Sequence, residues 1–245
     1  ILASDFGTSH SLVGALHNNQ LIGALEIDPE YSDKTLMRTL LYFPTADQCF
    51  YGAAALKKYT GEFEMEGRLF RSFKSHLPNK NYIGTIIDNR ILTLENMIGT
   101  FLLELKKRAE SILGVKIDKA VFGKPARYSM DDVADEFALH RMRKAAEFAG
   151  FKQIKFIPEP LAAALAFRKQ IKDQKIILIG DFGGGTSDFT LMKIHKAAFK
   201  KEDVLAVDGC PLAGDALDSL FMQNRLNTSF GAGAQYRLPM SSNLL

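Results

Sequence analysis

Ser4-Asp5-Phe6-Gly7-Thr8-Ser9 and Gly180-Asp181-Phe182-Gly183-Gly184-Gly185-Thr186-Ser187 are two versions of one phrase. Each reads as a strand, then Asp and Gly in a tight turn, then another strand. Asp181 follows Asp5 by 176 residues, so the echo has the period of a half-molecule rather than of a short motif. Two such hairpins in two similar halves predict a cleft between them, with a carboxylate on each wall.

Reading outward from these turns, residues 1–4, 11–17 and 20–27 alternate as a three-stranded meander. Short strands are expected at 40–43 and 49–51, and 84–87 with 91–93 flank Asp88-Asn89-Arg90 as a hairpin. Leu94, Met97, Ile98, Phe101, Leu102, Leu105, Ala109, Ile112 and Leu113 recur at helical spacing, and Gly114 stops them. Next come a strand at 120–122, a helix over 131–149 closed by Gly150, a strand at 154–157 and a helix at 161–167. Strands at 176–179, 189–194 and 204–207 and a helix at 216–226 complete the legible part, an α/β order. Beyond Leu226 the pattern lapses. The reading begins in a strand at Ile1, so a short preceding segment is expected.

The chemistry concentrates at the turns. Gly183, Gly184 and Gly185 allow positive φ and close approach of backbone N–H groups to an anion, and the Thr186 hydroxyl can donate to a phosphate oxygen. A lone glycine-rich turn is more commonly a plain connection; its counterpart at the other end of the chain favours the phosphate reading. The spacing mimics a P-loop, but no lysine stands between Gly185 and Thr186 and the next element reads as a strand. Asp5 and Asp181 could hold magnesium, directly or through water, or simply serve as turn residues. Pro158-Glu159-Pro160 fixes a carboxylate at a strand-to-helix junction, where it could face a ligand or merely complement the helix dipole. Lys74, in Arg71-Ser72-Phe73-Lys74, carries no local pattern.

Composition narrows the class. The chain has 245 residues, 47% hydrophobic and 24% charged, with 31 basic and 28 acidic side chains, and reads as an ordinary globular protein. The formal charge of +3 has no cluster dense enough for a nucleic-acid footprint. The longest apolar run, residues 97–105, is interrupted by Gly99, Thr100 and Glu104, so no membrane span is expected. Cys49 and Cys210 lack metal or redox spacing and read as reduced thiols of a cytoplasmic protein. The five histidines show no zinc spacing, and no G-x-S-x-G marks an activated serine. The basic stretches 57–58 and 196–201 read as solvated edges.

The first turn, Pro158-Glu159-Pro160-Leu161-Ala162-Ala163-Ala164 and Asp181-Phe182-Gly183-Gly184-Gly185-Thr186-Ser187-Asp188 resemble, in that order, the first phosphate loop, connecting segment and second phosphate loop of the seventy-kilodalton heat-shock (DnaK-type) chaperone ATPases. The flavour is similar to the short YegD-like branch, and the likeness covers about residues 1–226. Arg71-Ser72-Phe73-Lys74 resembles the segment with the family's catalytic lysine, and residues 212–218 the segment after its second loop. The resemblance implies an actin-like ATPase (ribonuclease H-like) α/β fold of duplicated βββαβα lobes. A first lobe would span 1–170, with an inserted subdomain at about 28–95, and an incomplete second lobe 171–245. It further implies ATP/ADP and Mg2+ as cofactors, with Asp5, Asp181 and in part Glu159 holding the metal through water. Lys74 would position the γ-phosphate and the attacking water. Gly7, Thr8, Ser9, Gly183, Gly184, Gly185, Thr186 and Gly214 would line the nucleotide, and Asp188 would orient the water or Thr186. Co-chaperones and unfolded clients are the partners implied for the parent protein, with adenosine-gripping and peptide-binding parts beyond residue 245.

Ser9 stands where the family more often has Thr. Ala213 stands where it commonly has Gly, adding a methyl where backbone passes near phosphate. A bacterial actin-like filament protein, a sugar or acid kinase of the same superfold, and a non-catalytic nucleotide sensor are the rival readings. Filament proteins tend to have Glu at the position of Asp188 and lack the Lys74 segment, and no small-molecule substrate signature stands out.

Overall fold

The computed structural model describes residues 1–62, 66–168, 170–195, 199–210 and 212–235. Strands β1 (Leu2–Phe6) and β2 (His10–His17) pair antiparallel from Leu2↔Ala15 to Phe6↔Ser11. Leu2, Ser4 and Phe6 point inward with Ser11, Val13 and Ala15, the period-two burial that a half-covered strand requires. β3 (Gln20–Ile22) returns over Asn18 and Asn19, both at positive φ (49° and 62°), as a two-residue hairpin demands. β4 (Leu36–Arg38) pairs with the start of β2.

A small separate sheet follows. β5 (Leu40–Thr45), β6 (Gln48–Tyr51) and β7 (Arg68–Arg71) form a three-stranded sheet in the order β6-β5-β7, with α1 (Gly52–Lys57) after β6. A 3-10 turn, Phe73–His76, leads to the hairpin of β8 (Gly84–Ile87) and β9 (Arg90–Thr93), which turns over Asp88 and Asn89 at φ 46° and 62°.

α2 (Leu94–Leu113) starts on Thr93, whose side chain accepts the Asn96 N–H, and stops at Gly114 in the left-handed region, φ 67°. β10 (Lys119–Lys124) lies parallel to β1, and β11 (Gln153–Pro158) parallel to β10. α3 (Asp132–Phe148) runs between them, capped by the Asp131 carboxylate on the Ala134 N–H. The first sheet therefore reads β11-β10-β1-β2-β3. One face is sealed by α2 and α3 in a core that includes Leu2, Phe6, Phe101, Phe122 and Met142. A Cβ on Gly99 would lie 2.9 Å from the Ala145 carbonyl oxygen, so the bare glycine sets how closely these helices cross.

α4 (Glu159–Arg168) leads to a second, antiparallel sheet: β12 (Lys175–Phe182), β13 (Ser187–Ile194) and β14 (Val204–Cys210). It has its own small core of Ala164, Ile171, Met192 and Ile194. Its register repeats that of the first sheet: Asp181↔Asp188 and Phe182↔Ser187 occupy the places of Asp5↔Leu12 and Phe6↔Ser11. α5 (Gly214–Phe221) follows β14.

Three expectations shift. Asp5 and Asp181 are the penultimate residues of their strands rather than turn residues. The meander's third strand ends at Ile22, although Leu25 and Ile27 are still buried and the Leu25 N–H still reaches the Val13 carbonyl (2.8 Å). The helix expected at 216–226 is α-helical to Phe221 and then widens into a π-turn, Met222–Leu226. Of the basic stretch 196–201, residues 196–198 lie outside the described residues. Among the described residues no helix is long and apolar enough to cross a membrane.

Arg141 ties the segment at 76–82 to the helices. It is 3% exposed, donates to Glu95 Oε1 (2.7 Å) and Oε2 (3.3 Å), and also to the carbonyls of His76 (3.4 Å), Asn79 (3.2 Å) and Tyr82 (3.0 Å). Arg141→Ala would strand Glu95 and three carbonyls, and is expected to cost about 3 kcal/mol, read as a lower denaturant midpoint.

Candidate functional site

The two hairpin tips meet. A Cβ on Gly7 would overlap the His10 carbonyl, so only glycine makes the first turn. Thr39 holds that turn from behind: its hydroxyl donates to the Gly7 carbonyl (2.8 Å) and its N–H to the Ser9 carbonyl (2.9 Å). In the second turn the Gly183 N–H donates to the Thr186 carbonyl (2.9 Å). A Cβ on Gly184 would overlap Ser9 Oγ, and one on Gly185 would lie 3.5 Å from Thr8 Cγ2. The start of α5 engages the same turn, Gly214 N–H on the Gly183 carbonyl (3.2 Å) and Asp215 N–H on the Gly184 carbonyl (2.8 Å). Among the described residues, the N–H groups of Thr8, Ser9, Gly184 and Gly185 donate to no protein acceptor. Apposed donors without acceptors fit the oxygens of a phosphate chain.

Behind the tips lies a charge cluster. Phe73 sinks into the core against Phe6 and Phe101 (centroids 6.2 and 6.0 Å), which plants the next residue, Lys74, at 8% exposure. Its Nζ lies 3.5 Å from Glu159 Oε1 and 5.7 Å from the Phe6 ring centroid. Glu159 opens α4, and Gly123 lets it approach, since a Cβ there would lie 3.1 Å from Glu159 Cγ.

Burial raises the Asp5 carboxyl above its ordinary range; Lys74 opposes the shift and Asp181 adds to it. Burial likewise raises Glu159, against Lys74 and reinforced by Asp5 and Asp181. Asp188 is raised by burial and by Asp181, and held back by the Thr186 hydroxyl, which donates to it at 2.8 Å, and by Lys74. Lys74, Asp5, Glu159, Asp181 and Asp188 thus form one electrostatic unit, four carboxylates to one ammonium. Among the described residues no three acidic, histidine or cysteine side chains converge tightly enough to grip a metal ion directly. The donor set fits a hydrated divalent cation, which Mg2+ prefers to remain.

The structure places Thr8 and Ser9 against Gly184 and Gly185, Gly183 against Gly214, and Thr186 on Asp188. Sequence reading missed Thr39, Gly123 and Ser72. Ser72 sits in the left-handed region (φ 53°) and its hydroxyl donates to Asp215 Oδ2 (2.7 Å), tying the Lys74 turn to α5. Only the unusual backbone, which leaves no mark in residue type, would have flagged it.

Two outcomes follow from this geometry. Carboxyls with raised pKa bind protons in the folded state that the unfolded chain has already released, so their contribution to stability falls as pH rises above the ordinary carboxylate range. A divalent cation relieves that penalty only where they are ionised. Mg2+ should therefore raise the melting temperature more at about pH 7.5 than at about pH 5, by differential scanning fluorimetry. Gly184→Ala should lose about 1–3 kcal/mol by forcing the tips apart, and Ser9→Ala should restore part of it, since the Ser9 Cβ stands 3.3 Å away.

A family model described as Hsp70 protein matches residues 58–232. The chain is 28% identical over 248 residues to the chaperone protein HscA of Buchnera aphidicola subsp. Baizongia pistaciae, covering 92% of this chain and 46% of that protein. It is 29% identical over 232 residues to the chaperone protein HscA homolog of Rickettsia felis (91% and 34%) and 29% over 250 residues to that of Rickettsia typhi (98% and 39%). The chain thus spans between 34% and 46% of the length of these curated relatives.

Proposed function

We propose, from the premise that this chain belongs to the Hsp70 family and has its actin-like ATPase fold, that the apposed turns are the phosphate side of an ATP-hydrolysing cleft in a molecular chaperone. The observation that carries this reading is the gathering of four carboxylates around Lys74 directly behind two loops of free N–H donors. Phosphoryl transfer asks little covalent chemistry of a protein; it asks for positioned charge and an in-line water.

In this reading the N–H groups of Thr8, Ser9, Gly184 and Gly185 and the Thr186 hydroxyl hold phosphate oxygens, with Gly7, Gly183 and Gly214 shaping the backbone. Asp5, Asp181 and Glu159 hold a hydrated Mg2+, which when bound neutralises developing charge on the phosphate oxygens. Lys74, steadied by Glu159, orients the terminal phosphate and the attacking water. Asp188 fixes the Thr186 hydroxyl through the 2.8 Å bond. We assign residues 1–170 to a first lobe, with an insertion at about 28–95, and 171–245 to the start of a second. We further place the chain in a YegD-like branch of the family, in the cytoplasm, where free Cys49 and Cys210 stay reduced, with co-chaperones and unfolded clients as partners of the whole protein.

Single-turnover hydrolysis tests the catalytic assignment. Lys74→Ala should slow the step by about two orders of magnitude, the usual loss of one electrostatic donor, while Mg-ADP still binds. An unchanged rate would remove Lys74 from the chemistry. Asp181→Ala should abolish the Mg2+-dependent part of nucleotide binding by calorimetry; wild-type affinity in that variant would rule out the cleft.

A further inference from the structure

Arg38 is half-buried, and among the described residues its guanidinium has no carboxylate or carbonyl partner. Its place in the sheet is informative. β4 pairs with β2 in the register His10↔Arg38, Ser11↔Met37 and Leu12↔Leu36, while Leu12 lies across from Asp5 on β1. Side chains alternate across a sheet, so Met37 and Ser11 go to the buried face and Arg38 shares its face with His10, Leu12 and Asp5. His10 directly follows the first phosphate turn, and Thr39, next to Arg38, holds the carbonyls of Gly7 and Ser9. Arg38 thus stands beside that turn, on the side of the sheet that carries the Asp5 carboxyl.

The guanidinium is also pre-oriented. It lies 5.4 Å from the Tyr31 ring centroid, and Tyr31 is held by His10: the hydroxyl is 3.0 Å from His10 Nε2 and the rings are 5.6 Å apart. Lying over an aromatic ring occupies the face of the guanidinium and leaves its in-plane donors available for paired acceptors. Burial and Arg38 both push the His10 pKa down, which disfavours a charged imidazolium beside Arg38. The acid adjoining Tyr31 in sequence, Glu30, pairs with Lys57 instead (3.0 Å).

We propose that Arg38 is a phosphate-binding side chain of this cleft, contacting the anionic oxygens of a bound nucleoside polyphosphate from a Tyr31–His10 platform. Four carboxylates and a single lysine give the site little attraction for a polyanion beyond its metal, and Arg38 is a second protein cation placed to supply it. The inference rests on the polyphosphate reading of the cleft.

The test is calorimetric binding of Mg-ATP and of Mg-tripolyphosphate, which lacks the nucleoside, to the full chain and to Arg38→Gln and Arg38→Lys, with melting temperatures measured alongside. Arg38→Gln keeps much of the stem over Tyr31 and should weaken both ligands about tenfold, as expected for one charge-assisted contact. Arg38→Lys should fall between, a point charge without the fork, and both variants should melt with the wild type. If the wild-type chain binds Mg-ATP and Arg38→Gln binds it as tightly, or loses only thermal stability, Arg38 is a packing residue and the proposal fails alone. If the wild-type chain binds neither ligand, the cleft reading fails and the proposal with it.

Discussion

Lys74 is the side chain on which the rest of the arrangement depends. Four carboxylates gathered around one ammonium make a poor resting state: Asp5, Glu159 and Asp188 are all driven toward their protonated forms by burial, and Lys74 opposes each. A structure meant only to be stable would replace such a cluster with apolar residues. Its persistence at the mouth of two glycine turns makes sense if the missing charge arrives with a ligand. That also explains why the lysine is rooted so firmly. Phe73 anchors it in the Phe6–Phe101 cluster, and Arg141 clamps the carbonyls of His76 and Asn79 that follow the turn.

What the sequence made legible was the symmetric part. The echo of Asp-Phe-Gly predicted two facing hairpins, and the register bears it out pair for pair, Phe6↔Ser11 against Phe182↔Ser187. Period-two and period-3.6 patterns found the meander, the hairpin over Asp88-Asn89 and the helix ending at Gly114, because each is set by local turn chemistry and a one-sided core. The segment between 52 and 76 was the least legible. β7 and the Lys74 turn are four residues each, too short for periodicity to register, and the turn is entered through Ser72 in a left-handed conformation that residue type does not announce. Lys74 emerged from family likeness alone, since the carboxylate it meets, Glu159, lies 85 residues away in the chain.

The boundary errors share a cause. Asp5 and Asp181 were expected in turns, yet each strand runs one residue past its aspartate because Phe6 and Phe182 still pair across to Ser11 and Ser187. Placing the aspartate inside the ladder fixes its backbone on both sides, which a turn would not. The carboxylates are therefore held by two rigid hairpins, while the loops beyond them keep their N–H groups free.

One link spans these parts. The Ser72 hydroxyl donates to Asp215, and the Asp215 N–H donates to the Gly184 carbonyl, so a two-bond path runs from the entrance of the Lys74 turn to the second glycine turn. Gly184 in turn rests against Ser9 of the first. The second turn is thus bonded to the backbone that presents Lys74. Ser72 carries a left-handed backbone, which is costly for a non-glycine residue and is sustained by the turn and by Asp215 together. The hydroxyl of this strained serine thereby ties the Lys74 turn to the second glycine turn.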